Sequence, residues 1–206
     1  TFGDVSLTTA AANGFETLAI VSSGASANTI DEIFQVTGTS MATLNVSGAQ
    51  AATLEEIPST ILTVNASAMT MTTGAGLQLG VGTTTATYLG FSTAFDGTLT
   101  NNNMNNITGG PGNDTFIFGT FFDASDFDAT TAETLNGGLG TDVFQASFAA
   151  TIGTGLHLSG IEELRWNATA NVVSVNLTGV TGITTATIEG DGFANTAFTL
   201  LNIGGF

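Results

Sequence analysis

The residues with the most evident chemistry in this chain lie in two nine-residue stretches, 109–117 (GGPGNDTFI) and 137–145 (GGLGTDVFQ). Both fit the pattern G-G-x-G-x-D-x-U-x, in which U is a large apolar residue. Ca²⁺ is a hard cation that takes about six to eight oxygen ligands. Glycines let backbone carbonyls turn inward at a tight bend, and the Asp adds charge and a bridge to a neighbouring turn. The pattern therefore predicts calcium binding in a β-rich protein, and an ordinary glycine turn capped by Asp is the alternative.

The motifs also predict where apolar side chains fall. Phe116 and Phe144 follow the Asp by two positions and are expected to point into a core, each at the start of a short strand. Nine residues earlier stand Ile107 and Leu135, as a core of stacked nine-residue half-turns requires. The first glycines of the motifs are 28 residues apart, one more than three nines, so a perfect roll is interrupted.

Further oxygen donors lie outside the two motifs. Asn105 precedes Asp114 by nine residues, and Glu133 precedes Asp142 by nine. The segment between the motifs is acidic, and it could supply extra calcium ligands from a loop or form a solvated acidic loop. The candidate ligands in and beside this segment are Asn105, Asp123, Asp126, Asp128 and Glu133. Additional sites are considered at Asp4, Asp31, Asp96 and Asp191.

Strand signals recur along the whole chain, separated by clusters of Ser, Gly, Asn and Thr. We predict strands over residues 17–21, 42–46, 60–64, 172–177 and 185–188. Helical periodicity is weak, and only Asn28 to Phe34 and Ala124 to Thr134 are candidates for short helices. The predicted fold is all-β, a parallel β-solenoid or β-roll with calcium-binding glycine-rich turns and minor short helices. We divide the chain into a β-solenoid segment (1–104), a calcium-binding segment with an acidic insert (105–145) and a second β-solenoid segment (146–206), within one continuous domain.

An internal echo links the two ends of the chain. Residues 14–18 (GFETL) resemble 160–164 (GIEEL), and residues 42–46 (ATLNV) resemble 186–190 (ATIEG). The offsets, 146 and 144 residues, nearly keep register. This pattern indicates a repeated layout of a G-[FI]-E-x-L strand, Thr-rich rungs and a calcium section. Chance similarity between Thr-rich β-sequences is the alternative.

The charge balance is strongly acidic. The formal net charge is −16, Arg165 is the one basic residue besides a single His, and there is no lysine or cysteine. Calcium would neutralise part of this charge, so we expect folding to be linked to metal binding. The same balance argues against nucleic-acid and anionic-membrane partners. No apolar run of about 20 residues predicts a membrane span. No signal peptide is recognisable; the chain starts at Thr1, as a mature product or a piece of a longer chain would.

Catalytic constellations are nearly absent from the sequence. The single His157 stands between leucines and is expected on the polar face of a strand. No G-x-S-x-G or H-E-x-x-H motif occurs, and no lysine is present for a phosphate-binding loop. Carboxylates are plentiful enough for a glycosidase by residue type, but Trp166 and Tyr88 offer few aromatic platforms for a sugar. We predict that the chain is not an enzyme.

Over about residues 105–145, the glycine motifs resemble those of the RTX family, calcium-binding proteins exported by bacterial type I secretion. The flanks, with short T-x-L-x-V and A-S-G rungs, look like RTX-bearing surface-layer proteins of Gram-negative bacteria, which are similar in having almost no cysteine and little lysine. The resemblance implies that Asp114 and Asp142 are side-chain calcium ligands. It implies carbonyl ligands or tight turns at Gly110, Gly112, Gly138 and Gly140. Only two motifs are present, so few calcium ions are expected.

Three functions are compatible with these features. The first is a secreted, calcium-stabilised structural protein that assembles with copies of itself into a surface layer or filament at the bacterial cell surface, with a cell-surface polysaccharide as a further candidate partner. The second is a binding module, either an RTX adhesin or a Thr-rich ice-binding segment, although the Thr spacing along the sequence is irregular. The third is the noncatalytic calcium domain of a secreted hydrolase.

Overall fold

The fold consists of parallel β-strands that alternate between two sheets. The computed structural model describes residues 5–7, 15–35, 41–56, 61–79, 106–118, 134–148, 151–153, 155–168, 172–190 and 197–203. Within these ranges there are sixteen strands and no helix. Every strand pairing in the described parts of the chain is parallel, as in a β-roll or β-solenoid.

Odd-numbered strands form an eight-stranded sheet, in chain order. They are β1 (Val5–Leu7), β3 (Asn28–Gln35), β5 (Ala52–Glu56), β7 (Ala75–Leu79), β9 (Asn113–Phe118), β11 (Val143–Phe148), β13 (Glu163–Ala168) and β15 (Thr185–Gly190). Even-numbered strands form a six-stranded sheet, also in chain order. They are β2 (Thr17–Ser22), β4 (Thr43–Gly48), β6 (Thr63–Met69), β8 (Asn106–Thr108), β10 (Thr134–Asn136) and β12 (Leu158–Ser159). A separate pair joins β14 (Val172–Asn176) to β16 (Ala197–Leu201).

The core lies between the two sheets, where one large apolar side chain from each coil stacks on the next. The eight-stranded sheet contributes a column in which Leu79, Phe116, Phe144 and Leu164 occupy successive strands. The six-stranded sheet contributes Leu18, Leu44, Val64, Ile107, Leu135 and Leu158. Because successive side chains of a strand point to opposite faces, each short strand places one or two of them in this core.

The predicted nine-residue half-turn spans the space between the two sheets at both motifs. Ile107 lies in β8 and Phe116 in β9, and Leu135 and Phe144 occupy the same positions in β10 and β11. All four side chains are 0–1% exposed. The chain therefore crosses from one sheet to the other through each glycine motif.

Two local predictions need correction. The helix predicted at Asn28 to Phe34 is wrong, because residues 28–35 form β3, which pairs with β5 on one side and β1 on the other. Backbone pairing to two neighbouring strands outweighs the weak helical spacing of Ile30 and Ile33. The strand predicted at 60–64 begins instead at Thr63 and runs to Met69. The helix considered at Ala124 to Thr134 lies outside the described residues, apart from Thr134, the first residue of β10.

The two similar segments near the chain ends make the same kind of backbone hydrogen bond, but they do so in different sheets. The Glu16 carbonyl accepts hydrogen bonds from the N–H groups of Ala42 and Thr43, just before β4. The Glu162 carbonyl does the same for Thr184 and Thr185, at the start of β15. The first copy therefore leads into the six-stranded sheet and the second into the eight-stranded sheet.

Among the described residues, no helix has the length and apolar character needed to cross a membrane.

Candidate functional site

The two glycine motifs form the turns that connect β8 to β9 and β10 to β11. These turns stack on each other through backbone hydrogen bonds. The Gly109 N–H donates to the Asn136 carbonyl at 2.8 Å, and the Leu139 N–H donates to the Gly110 carbonyl at 3.1 Å. In the next coil, the Gly137 N–H donates to the Ser159 carbonyl at 2.9 Å. The motifs therefore lie directly above one another at one edge of the roll.

Glycine is required here because neighbouring coils approach the Cα atoms closely. A Cβ on Gly138 would overlap the Gly110 carbonyl, and a Cβ on Gly140 would overlap the Gly112 carbonyl. Gly138 and Gly140 also have φ values of +104° and +134°, which favour glycine. The carbonyls of one motif are thus directed at the glycines of the next.

Three acidic side chains run along the same edge in register, and we call Asp114, Asp142 and Glu162 the carboxylate ladder. Asp114 Oδ1 accepts a hydrogen bond from the Leu77 N–H, and its Oδ2 accepts one from the Gly110 N–H at 2.6 Å. Asp142 Oδ1 accepts from the Asp114 N–H at 2.7 Å, and Glu162 Oε2 accepts from the Asp142 N–H at 2.8 Å. Each acid therefore binds the backbone of the coil before it.

One buried oxygen of the ladder has no hydrogen-bond partner. Asp114 and Asp142 are both 0% exposed, and the Asp142 Oδ2 atom is buried without a donor. A buried carboxylate oxygen with no partner is costly, since the charged form loses its hydration without compensation. Asp142 Oδ2 is therefore a buried acceptor in the ladder that a cation or a proton could satisfy.

The pKa values of both aspartates are raised by this environment. Burial raises the pKa of Asp114 to about 7, and the neighbouring charge of Asp142 adds to the effect, while the N–H groups of Leu77 and Gly110 oppose it. Burial likewise raises the pKa of Asp142 to about 6, helped by the charge of Glu162 and opposed by the Asp114 N–H. Two buried acids near neutral pKa are poised between ionised and protonated forms.

The donor set around this edge consists of oxygens, which suits a hard cation. A methyl group placed on Gly137 would meet both Asp142 Oδ2 and the Gly160 carbonyl oxygen. In the preceding coil, a methyl group on Gly109 would meet Asp114 Oδ2 and the Gly137 carbonyl oxygen. Each motif thus brings a carboxylate oxygen close to a carbonyl oxygen of the next coil, and both are oxygen ligands of the type that Ca²⁺ takes. Within the described ranges, no three carboxylate or imidazole side chains cluster as metal ligands, so backbone oxygens would have to complete the coordination.

The structure places only part of the predicted ligand set. Gly110, Gly112, Gly138 and Gly140 lie in the stacked turns, next to Asp114 and Asp142. Asp31 lies in β3, in the eight-stranded sheet. The remaining candidates lie outside the described residues and are Asp4, Asp96, Asn105, Asp123, Asp126, Asp128, Glu133 and Asp191.

Glu162 was not among the predicted site residues, although the sequence contains a signal for it. Asp114 and Asp142 each stand two residues after a glycine and two before a core phenylalanine. The segment 160–164 repeats that spacing as Gly-Ile-Glu-Glu-Leu, with Leu164 stacked on Phe144. The shorter pattern G-x-[DE]-x-U, which both glycine motifs contain, therefore occurs a third time in the next coil. The predicted echo had isolated this segment without linking it to the calcium pattern.

Comparison with protein-family models, curated protein sequences and solved structures finds no match to this chain. The described fold and site are two all-parallel sheets with alternating strands, consistent with a β-roll or β-solenoid, and buried acids at stacked glycine turns.

Proposed function

We propose that this chain is a secreted calcium-binding structural protein whose β-roll is stabilised by Ca²⁺ at the glycine turns, and that it assembles with copies of itself at a bacterial cell surface. The observation that carries the calcium proposal is the buried Asp142 Oδ2, which has no hydrogen-bond donor and lies beside a backbone carbonyl oxygen. Ca²⁺ would supply the positive charge that this oxygen lacks.

The residues that would hold the ion come from two adjacent coils. The carboxylates of Asp114 and Asp142 would supply charge, and carbonyl oxygens of the stacked glycine turns would supply neutral ligands. The coils meet only when the roll is folded, so the site exists only in the folded state. Binding to the folded state alone stabilises it by about 2.7 kcal/mol per site at a hundredfold excess of ligand over Kd.

The acidic composition supports the same linkage. With a net charge of −16, the compact chain repels itself unless cations neutralise part of the charge. In a compartment low in calcium, the roll would lose this compensation, which suits an exported chain. In an extracellular medium rich in calcium, folding would follow.

Assembly into a surface layer is the part of the proposal that rests on composition and on the resemblance of the flanks to RTX-bearing surface-layer proteins. A chain with no lysine and no cysteine and with many Thr, Asn and Gly residues fits an extracellular β-protein. No catalytic constellation in the sequence competes with a structural role.

Isothermal titration calorimetry with Ca²⁺ tests the site directly. The parent protein should bind calcium, and Asp142→Asn should weaken binding at least about tenfold, which corresponds to about 1.4 kcal/mol. Asn keeps the shape of the side chain and an oxygen for the Asp114 N–H, so the fold should survive. Glu163→Gln is the matched control. Glu163 lies 21 residues after Asp142 and is also an acid, but its Oε1 pairs with Arg165 Nε at 2.7 Å and is not part of the ladder.

Equal calcium affinity in the parent, Asp142→Asn and Glu163→Gln proteins would show that the carboxylate ladder is not part of the calcium site. No heat of binding in the parent protein at millimolar Ca²⁺ would refute the calcium proposal itself.

A further inference from the structure

The outer face of the six-stranded sheet carries two columns of short, uncharged side chains, all polar except Ala19, which we call the Thr/Asn face. On each strand, the two columns flank the apolar residue that points into the core. One column is Thr17, Thr43, Thr63, Asn106 and Thr134. The other is Ala19, Asn45, Asn65, Thr108, Asn136 and Ser159.

The columns are regular in space although their members are unevenly spaced along the chain. Successive members of the first column are 26, 20, 43 and 28 residues apart. Loops of different length absorb these differences, and the register shift between β4 and β6 begins only after Asn45. Neighbouring strands lie about 4.8 Å apart, and residues two positions apart on one strand lie about 6.6 Å apart. The irregular Thr spacing that argued against ice binding in the sequence therefore disappears in the folded roll.

The chemistry of this face is nearly uniform, since every member except Ala19 carries a hydrogen-bonding group. Each Thr, Ser or Asn side chain can both donate and accept hydrogen bonds, and β-branching restricts the χ1 angle of Thr. Thr134 Oγ1 donates to Asn106 Oδ1 at 2.8 Å, which fixes two neighbouring members of one column. The two columns contain no charged residue. The outer face of the eight-stranded sheet differs, since it carries Glu163 and Arg165.

We propose that the Thr/Asn face binds ice. A two-dimensional grid of uncharged groups that donate and accept hydrogen bonds is complementary to a ligand that is itself a periodic, uncharged lattice of donors and acceptors. Water oxygens on ice planes repeat at distances close to those of the strand and residue spacings. Water held by such a grid is already ordered in two directions, so little further ordering is needed when the face joins the crystal. The inference does not depend on self-assembly.

Two other occupants are less well matched to this face. Proteins usually bind polysaccharides through exposed aromatic rings, and neither column contains one. Trp166 is 1% exposed and lies in β13 of the other sheet. A second copy of the chain would meet few apolar groups here, whereas stable interfaces have apolar cores.

Ice affinity of the folded, calcium-loaded protein tests the proposal. Slow freezing of a dilute solution should enrich the parent protein in the ice fraction, and the protein should shape ice crystals and inhibit their recrystallisation. Thr63→Tyr places a bulky ring in the middle of the grid and should reduce the ice fraction to that of a non-binding reference protein. Thr187→Tyr, on the outer face of β15 in the other sheet, is the matched control and should retain ice binding. Tyr is tolerated in strands, and Thr43→Tyr provides a second test of the same column.

Circular dichroism and calcium affinity of each variant establish that it is folded, so loss of ice binding is distinguishable from loss of the roll or of the calcium site. A parent protein that is excluded from ice like the reference would overturn the proposal. Equal loss in Thr63→Tyr and Thr187→Tyr would also overturn it. Binding to insoluble polysaccharide, or a change in particle size that depends on Thr63 without any enrichment in ice, would assign the face to another occupant.

Discussion

At the scale of single residues, the carboxylate ladder concentrates electrostatic cost at one edge of the roll. Asp142 is buried between Asp114 and Glu162, and its Oδ2 lacks a donor. A cation, a proton or the removal of a neighbouring charge can each lower the electrostatic cost of this buried carboxylate. Each route leads to a distinct measurement.

Protons should replace calcium as the stabilising partner of the ladder. In calcium-free protein, the folded-state pKa values of Asp114 (about 7) and Asp142 (about 6) exceed the ordinary value of 3.8. Their protonation therefore favours the folded state most fully below about pH 4, and this contribution is lost as pH rises through 6 to 7. We expect the free energy of unfolding in EDTA to fall between pH 5 and pH 8, by an amount on the order of a few kcal/mol.

With saturating Ca²⁺ the sign should reverse, because the metal binds the ionised carboxylates and protons compete with it. Urea unfolding at pH 5 and pH 8, with and without Ca²⁺, measures both slopes. Parallel slopes in the two conditions would show that the ladder is not the site of calcium binding.

Removal of one charge at Glu162 should separate the two effects of the ladder. Glu162→Gln keeps an oxygen acceptor for the Asp142 N–H but removes the like charge beside Asp142. We expect the calcium-free protein to become more stable and the calcium affinity to fall several-fold, because the site loses negative potential. Melting temperature in EDTA and calcium titration measure these changes, and Glu163→Gln is the control on the next residue. A loss of stability in EDTA would contradict the assigned repulsion.

The sequence predicted Asp114 and Asp142 because their motif is complete, with every glycine and the core residue in place. It did not predict Glu162, because Glu replaces Asp and only the fourth to eighth positions of the nine-residue motif remain. The burial of Asp142 Oδ2 could not be predicted at all, since it depends on which coil stacks on Gly137. Spacing along the chain defines a half-turn, whereas the length of the return loop decides which coils become neighbours.

At the scale of the elements, the glycine turns allow adjacent coils to approach within backbone contact. Gly137 and Gly109 both face a carbonyl of the next coil and the Asp of their own motif. A side chain at either position would separate the coils or displace the carboxylate. The turns therefore control the spacing of the strands that follow them.

Gly137→Ala should destabilise the roll by at least about 2 kcal/mol, because the added methyl group overlaps the Gly160 carbonyl and the Asp142 side chain. Gly153→Ala is the matched control, since the space around Gly153 is open. The control should remain within about 0.5 kcal/mol of the parent protein or be slightly more stable. Chemical unfolding in calcium measures both variants, and equal effects of the two substitutions would refute close stacking at Gly137.

The strands were predictable to different degrees. Segments 17–21, 42–46, 172–177 and 185–188 were recognised from β-branched and apolar residues, and the structure places β2, β4, β14 and β15 there. The helix prediction at Asn28 to Phe34 is wrong because Asp31 and Glu32 resemble the acidic start of a helix, while the strands that pair with β3 are distant in sequence. The grouping of alternate strands into two sheets follows from pairing between coils, and no local propensity encodes it.

At the scale of the whole molecule, the proposed calcium sites and the net charge act together. The described acids of the ladder join β7, β9, β11 and β13, in the middle of the eight-stranded sheet. Neutralisation of these carboxylates by Ca²⁺ would hold the coils on either side of the ladder in register. Folding, charge compensation and assembly are therefore expected to share one dependence on calcium.

Circular dichroism and light scattering during a calcium titration from EDTA test this central claim most directly, with Mg²⁺ as the control ion because it requires a stricter, smaller coordination shell. We predict that Ca²⁺, but not Mg²⁺, converts a weakly stable protein with partial β-structure into one with full β-structure and higher thermal stability, followed by growth into large particles. Growth that fails to follow the transition would contradict self-assembly alone. A full β-spectrum in EDTA that Ca²⁺ leaves unchanged, in shape and in thermal stability, would contradict the calcium-linked fold.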